Sequence, residues 1–213
     1  MASSIAIIDY GMGNLRSVAK ALEYVAPDAR VRVTQHRHDI LQADRVVFPG
    51  QGSIRDCLHE LRRWNLVEVV REAALSKPFL GLCLGPQALL DFSEENGGME
   101  CLGVLPGRVV WFGELRDPAT GERLKVPHMG WNQVHQLHQH PLWRGIPQDS
   151  RFYFVHSYYL QPADPTLAVG STAYGFDFTS AIARDNIFAV QFHPEKSAQA
   201  GLRLLANFAE WNP

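Results

Sequence analysis

Cys83 lies in Gly81-Leu82-Cys83-Leu84-Gly85-Pro86-Gln87. An apolar run at 78–82 predicts a strand, and helical character resumes at 86–92. A strand that turns into a helix through G-x-C-x-G is the thiol counterpart of a nucleophile elbow. Such a turn holds its central residue in a strained conformation, and the flanking glycines let backbones pass closely. Pro86 suits a first helical turn, where a missing N–H costs nothing. A cysteine at a helix N-terminus is favoured as thiolate. The backbone N–H of Leu84 would face an oxyanion formed on a carbonyl that the sulfur attacks.

A thiol nucleophile needs a base. Nine histidines are present, and the sharpest candidate is His193 in Gln191-Phe192-His193-Pro194-Glu195-Lys196-Ser197. Residues i and i+2 of an extended chain share a side. Pro194 keeps His193 out of the helical region. Glu195 can therefore hold the second ring nitrogen of His193, the orienting role of a triad's third member. His128 and His156 have no acid at a comparable offset and are not assigned catalysis. His135, His138 and His140 read as a solvated stretch, and His36 and His38 as surface loop. A second glycine loop, Pro49-Gly50-Gln51-Gly52, follows an apolar strand and could complete an oxyanion hole with the Leu84 N–H.

The elements that must position these residues are legible in outline. Apolar runs at 4–8, 31–34, 45–48 and 78–82 predict strands, with helical patterns at 15–25 and 57–76 between them. Strands alternating with helices imply βαβ units and a parallel sheet, whose sites gather at the carboxyl ends of the strands. Loops 9–14, 49–52 and 81–85 all fall there. From about residue 97 the texture changes to short strand-like runs at 108–112, 123–126, 151–155, 167–171, 180–183 and 187–191. These predict an antiparallel region that returns into the first half. A helix at 198–211 closes the chain. The expected fold is α/β: a mostly parallel central sheet flanked by helices, with an additional antiparallel sheet region. One domain over 1–213 is expected.

Composition narrows the function classes. The chain has 213 residues, 46% hydrophobic and 20% charged, with a formal net charge of -2. That composition supports a packed core without disulfides or metals. No block of Lys and Arg points to nucleic acid or an anionic membrane. Cys57, Cys83 and Cys101 are three, widely spaced and free of C-x-x-C, so neither a disulfide framework nor a zinc site is expected. A phosphate loop is absent, and Gly11-Met12-Gly13 lacks the third glycine of a dinucleotide fingerprint. No cofactor and no metal are expected. No apolar run approaches the roughly 20 residues of a spanning helix. A cytoplasmic enzyme is expected.

Residues 81–87 and 191–195 together resemble the class I (triad) glutamine amidotransferases, with their G-x-C-x-G-x-Q and Q-F-H-P-E segments. Within that family the chain is most similar to the glutaminase subunits of imidazole glycerol phosphate synthases. Asp9-Tyr10-Gly11-Met12-Gly13-Asn14, residues 49–52, Pro127-His128-Met129-Gly130-Trp131-Asn132 and residues 153–158 carry that narrower likeness. Two departures are Gln51, where the family often has a small apolar residue, and Pro86, where it often has methionine.

The resemblance implies a nucleophile at Cys83, a base and acid at His193 and an orienter at Glu195. Gly50, Gly52 and Leu84 would form the oxyanion hole. Gln87 and Glu95, with backbone near Ser157 and Tyr158, would hold the amino-acid end of glutamine. Asn14, Met129, Trp131, Tyr153 and Lys196 would face a partner, a cyclase subunit of β/α-barrel form that receives ammonia in a heterodimer for histidine biosynthesis. Three alternatives stay open. They are another class I enzyme (for anthranilate, aminodeoxychorismate, guanylate or pyridoxal phosphate synthesis), a cysteine peptidase or small-molecule hydrolase on a similar sheet, and a non-catalytic binding subunit.

Overall fold

The computed structural model describes residues 3–213. Its first half alternates strand and helix: β1 (Ser4–Ile8), α1 (Leu15–Val25), β2 (Arg30–Thr34), α2 (Arg37–Gln42), β3 (Arg45–Phe48), α3 (Ile54–Arg63), α4 (Val67–Ser76), β4 (Phe79–Leu82) and α5 (Leu84–Leu89). Short strands β5 (Phe92–Ser93) and β6 (Met99–Glu100) lead to β7 (Gly107–Trp111). The second half runs β8 (His128–Gln133), β9 (His135–Gln136), β10 (Arg151–His156), β11 (Tyr158–Pro162), β12 (Ala168–Ala173), β13 (Asp177–Arg184) and β14 (Ile187–Val190). Helix α6 (Ala198–Glu210) ends it.

The main sheet is ordered β2-β1-β3-β4-β14-β13-β11-β7-β5-β6, with β12 added beside β13 and β9 beside β12. Its first five strands are parallel. Beyond β14 the pairing becomes mainly antiparallel. Strands β8 and β10 form a separate antiparallel pair. This is the expected α/β sheet with its antiparallel addition.

The parallel strands read as continuous apolar runs because both faces are covered. Along β3, Val46 and Phe48 join one core cluster and Val47 the other. Along β14, Ile187 and Ala189 face one way and Phe188 and Val190 the other. The first cluster includes residues of α2, α3, α4 and α5, and the second includes residues of α1 and α6. Side chains alternating across a strand explain the division.

Four local expectations are corrected. The helical pattern at 57–76 is two helices, broken at Asn65, whose φ is 54°. Both cover the same sheet face, so the apolar pattern continues through the break. His36 stands at the N-cap position of α2 and His38 within it, a helix of six residues with one buried side chain, Ile40, and hence no periodicity to read. The strand expected at 123–126 has only an isolated bridge between Arg116 and Arg123. His140 is half-buried rather than solvated, its Nδ1 accepting the Leu142 N–H at 3.1 Å.

Candidate active site

The parallel strands deliver three loops to one end of the sheet. Strand β4 runs into α5 through Cys83 alone, at φ 55° and ψ -90°. Non-glycine backbone in such a region costs on the order of 1–3 kcal/mol, so its surroundings must hold it. The Cys83 N–H donates to the Val190 carbonyl at 2.8 Å, which pins the turn to β14. The two glycines of the motif have steric reasons. A Cβ at Gly85 would lie 2.3 Å from the Phe48 carbonyl oxygen, and one at Gly81 would lie 2.9 Å from the Ala189 Cβ. Helix α5 could not sit that close to β3 with larger residues.

Strand β14 leads to His193. Its backbone N–H donates to the Tyr153 carbonyl at 2.9 Å, and the Ser197 hydroxyl donates to the His193 carbonyl. A short 3-10 turn over Pro194–Lys196 follows. It brings Glu195 Oε1 to 2.8 Å from His193 Nδ1, with the two side chains 2% and 3% exposed. The carboxylate accepts the Nδ1 hydrogen, so Nε2 is the atom left free. It makes no hydrogen bond among the described residues. Burial works to lower the His193 pKa. The Cys83 side chain and then Glu195 outweigh it and hold the imidazole up to about 10. A charged imidazole beside a thiol stabilises the thiolate.

Cys83 and His193 open onto one cavity of about 440 Å³. That is within the range of small-molecule sites. Leu84, Gln87, Glu95, Ser157 and Tyr158 line it, as does Gly52. Six residues anticipated from sequence therefore surround Cys83 and His193. Glu195 lies behind His193, outside the lining. Gly50 is also outside, but it packs at the α5 N-terminus, where a Cβ at 50 would stand 2.8 Å from that of Leu84. The Tyr10 hydroxyl donates to the Pro49 carbonyl at 2.9 Å and ties loop 49–52 to loop 9–14. Glu95 Oε2 accepts the Ile54 N–H at 2.7 Å. Burial pushes the Glu95 pKa up, against that hydrogen bond.

The five residues expected at a partner surface divide. Met129 and Trp131 are exposed large apolar side chains on β8. Trp131 packs edge-on against Tyr153, and the Lys196 ammonium lies 5.8 Å from the Tyr153 ring centroid. Asn14 is the residue before α1, with no capping hydrogen bond from its side chain.

Sequence reasoning passed over Gln191. It is fully buried; it accepts from Gln87 Nε2 at 3.0 Å and donates through Nε2 to the Cys83 carbonyl at 3.2 Å. The signal was its place two residues before His193, on the same side of the strand exit. Pro127, Val155 and His156 also line the cavity. No group of three or more His, Cys, Asp or Glu side chains is placed to hold a metal ion among the described residues. No described helix is long and apolar enough to cross a membrane.

The family model for class I glutamine amidotransferases matches residues 6–211. This chain belongs to the class I glutamine amidotransferases. It is 63% identical over 210 residues to the imidazole glycerol phosphate synthase subunit HisH of Nitrosococcus oceani, covering 99% of this chain and 98% of the relative. The protein of the same name from Aromatoleum aromaticum is 61% identical, over 99% of this chain and 100% of its own length. Among solved structures, PurLQS from Thermotoga maritima superposes with a TM-score of 0.73 at 16% identity, covering 99% of both chains. The glutaminase domain of CTPS from Trypanosoma brucei gives 0.64 at 18%, over 100% of this chain and 96% of its own. These two show the amidotransferase fold. An amidotransferase needs a thiol, a base and a cavity in one place, and here Cys83 and His193 open onto one cavity.

Proposed function

We propose that this amidotransferase is the glutaminase subunit of an imidazole glycerol phosphate synthase. It hydrolyses glutamine to glutamate and ammonia for histidine biosynthesis. The observation that carries the chemistry is the joint placement of Cys83 and His193 on one cavity, with Glu195 on the far nitrogen of the imidazole. Identity of 63% over almost the full length to a relative of that name supports the pathway.

In this reading Cys83 is the nucleophile, His193 the base and acid, and Glu195 its orienter. The Cys83 thiolate attacks the glutamine carboxamide carbon. The Leu84 N–H, with backbone from Gly50 and Gly52, receives the charge that develops on oxygen. His193 gives its proton to the departing ammonia. A water then loses a proton to the neutral imidazole and attacks the thioester, which releases glutamate and restores the thiolate. Glu195 keeps Nε2 aimed at both transfers and stabilises the imidazolium. Gln87, Glu95, Ser157 and Tyr158 take the amino-acid end of the substrate.

The chain acts as one domain over 1–213, in the cytoplasm, in a heterodimer with a cyclase of β/α-barrel form. Met129, Trp131, Tyr153, Lys196 and Asn14 face the ammonia exit and that cyclase. Exposed Met129 and Trp131 beside the site support this placement, because large exposed apolar groups mark interaction surfaces.

Glutamate release, measured with and without the cyclase and its phosphoribulosyl formimino substrate, tests the proposal. Low activity alone and strong stimulation by the loaded partner are expected, both lost in Cys83→Ala. Full activity of the isolated chain, or activation by a chorismate enzyme instead of the cyclase, would overturn it.

A further inference from the structure

Two buried histidines have no task in the glutamine chemistry. His128 opens β8 and His156 closes β10, directly opposite in the antiparallel pair. The rings are joined, His128 Nδ1 to His156 Nε2 at 2.9 Å. On the inner side His156 Nδ1 meets the Tyr158 carbonyl oxygen at 2.7 Å. On the outer side Asn132 Nδ2 meets His128 Nε2 at 3.2 Å. The Asn132 amide is oriented independently. Its nitrogen donates to the Ala173 carbonyl and its oxygen accepts the Gln133 N–H.

These partners fix every hydrogen. A carbonyl oxygen only accepts, so His156 Nδ1 carries a proton and, in the neutral ring, Nε2 accepts. His128 Nδ1 must then donate, and its Nε2 accepts from Asn132. The chain closes when both rings are neutral and protonated at Nδ1. The surroundings suit neutral rings: Phe154, Tyr174, Phe112 and Phe178 pack around them. Burial pushes the pKa of His128 down to about 4 and of His156 to about 3.

The inner end of this chain is at the cavity. Ser157 is the corner where the polypeptide leaves β10 for β11, strands of two different sheets. The His156 ring bridges that corner, from residue 156 to the carbonyl of 158. Ser157, Tyr158 and His156 itself line the cavity beside Cys83 and His193.

We propose that His128 and His156 act as a positioning pair for glutamine, holding the Ser157–Tyr158 corner in the shape that receives the amino-acid end of the substrate. This rests on the glutamine reading of the cavity. Neither histidine is a catalytic residue, since both are neutral, fully bonded and have no free nitrogen facing the sulfur.

The test is steady-state glutaminase kinetics in the complex with saturating cyclase. His128→Leu removes the donor to His156 Nε2. It is expected to raise KM for glutamine about tenfold or more while kcat stays within about threefold, because misplacement of a binding group falls on substrate capture. His128→Asn, whose amide nitrogen can stand near the Nδ1 position, should return KM to within about threefold of wild type. An unchanged KM in His128→Leu, or a fall in kcat without a rise in KM, would overturn the pair's role. Inactive wild-type complex would instead refute the glutamine reading.

Should His128→Leu not fold, long-range proton–nitrogen spectra of the wild-type protein decide the matter. Both rings are expected as neutral Nδ1–H tautomers, with resonances that shift when a diazo-ketone glutamine analogue occupies Cys83, loading being confirmed by mass. An Nε2–H tautomer in either ring, or rings indifferent to a loaded site, would overturn the proposal.

Discussion

His193 and the pair His128 and His156 lie within one neighbourhood and are all almost fully buried, yet they are held in opposite charge states. Burial acts in the same direction on each, against the proton. At His193 the Cys83 side chain and the Glu195 carboxylate reverse that effect and hold the imidazole up to about 10. At His128 nothing opposes burial, and at His156 the Tyr158 carbonyl opposes it too weakly, with His128 and His193 adding to the fall. The lesson is that depth does not set a histidine's charge. The groups facing its nitrogens do: a thiol and a carboxylate together make an acid–base group, and a carbonyl or another imidazole makes a neutral spacer.

The sharpest way to break this contrast is at the sulfur. Cys83→Ala should lower glutamine hydrolysis in the complex by about 10⁴-fold or more, since no other group on the cavity can form the thioester. It should also release His193 from one of its two charge partners, lowering its pKa, which ring-carbon NMR titration would follow.

Glu195→Gln comes next. It keeps an acceptor for the Nδ1 hydrogen but removes the charge. A kcat loss of roughly 10²–10⁴-fold is expected from the loss of imidazolium stabilisation. The His193 pKa should fall from about 10, because the carboxylate is among the causes that raise it. If the titration midpoint of His193 stayed in place, the thiol alone would account for its charge.

Acid stability separates the two kinds of histidine without any kinetics. His128 and His156 have folded values below the ordinary 6.5. The unfolded chain therefore binds more protons below pH 6.5, and their stabilisation, present above it, is lost as pH falls through the folded values. The sign is opposite for His193, whose contribution is complete below 6.5 and disappears as pH rises through about 10. Denaturant midpoints should fall between about pH 6.5 and pH 4, His140 adding to the fall because burial holds it down to about 4 as well, and the fall should be less steep in His128→Asn. A midpoint flat over that range in the wild-type protein would contradict the neutral pair.

The smallest effect concerns Gln191, a neutral bridge beside the charged site. Gln191→Leu deletes the donor to the Cys83 carbonyl and the acceptor for Gln87. A loss of about 1–3 kcal/mol in stability and roughly tenfold in kcat/KM is expected, read by thermal unfolding and glutaminase assay. A wild-type kcat/KM would leave Gln191 a packing residue.

What could be read from the sequence was what neighbours in the chain decide. The elbow at Cys83 is a matter of seven consecutive residues, and its glycines, its strained backbone and its helix were all legible in their order. The His193–Glu195 partnership was legible because the two residues are nearly adjacent, but a 3-10 turn over Pro194–Lys196, not the extended chain expected, makes the hydrogen bond. The parallel sheet followed from the spacing of apolar runs. Helix α2, with a single buried residue, gave no period to detect, and the break at Asn65 was hidden because α3 and α4 serve the same sheet face. Tertiary structure alone decided the rest. His128 meets His156 across 28 residues, and Gln191 meets Cys83 across 108. Those contacts depend on the register of paired strands and on which strands lie side by side. Register is set by the packing of whole faces, so no pattern around either residue announces its partner.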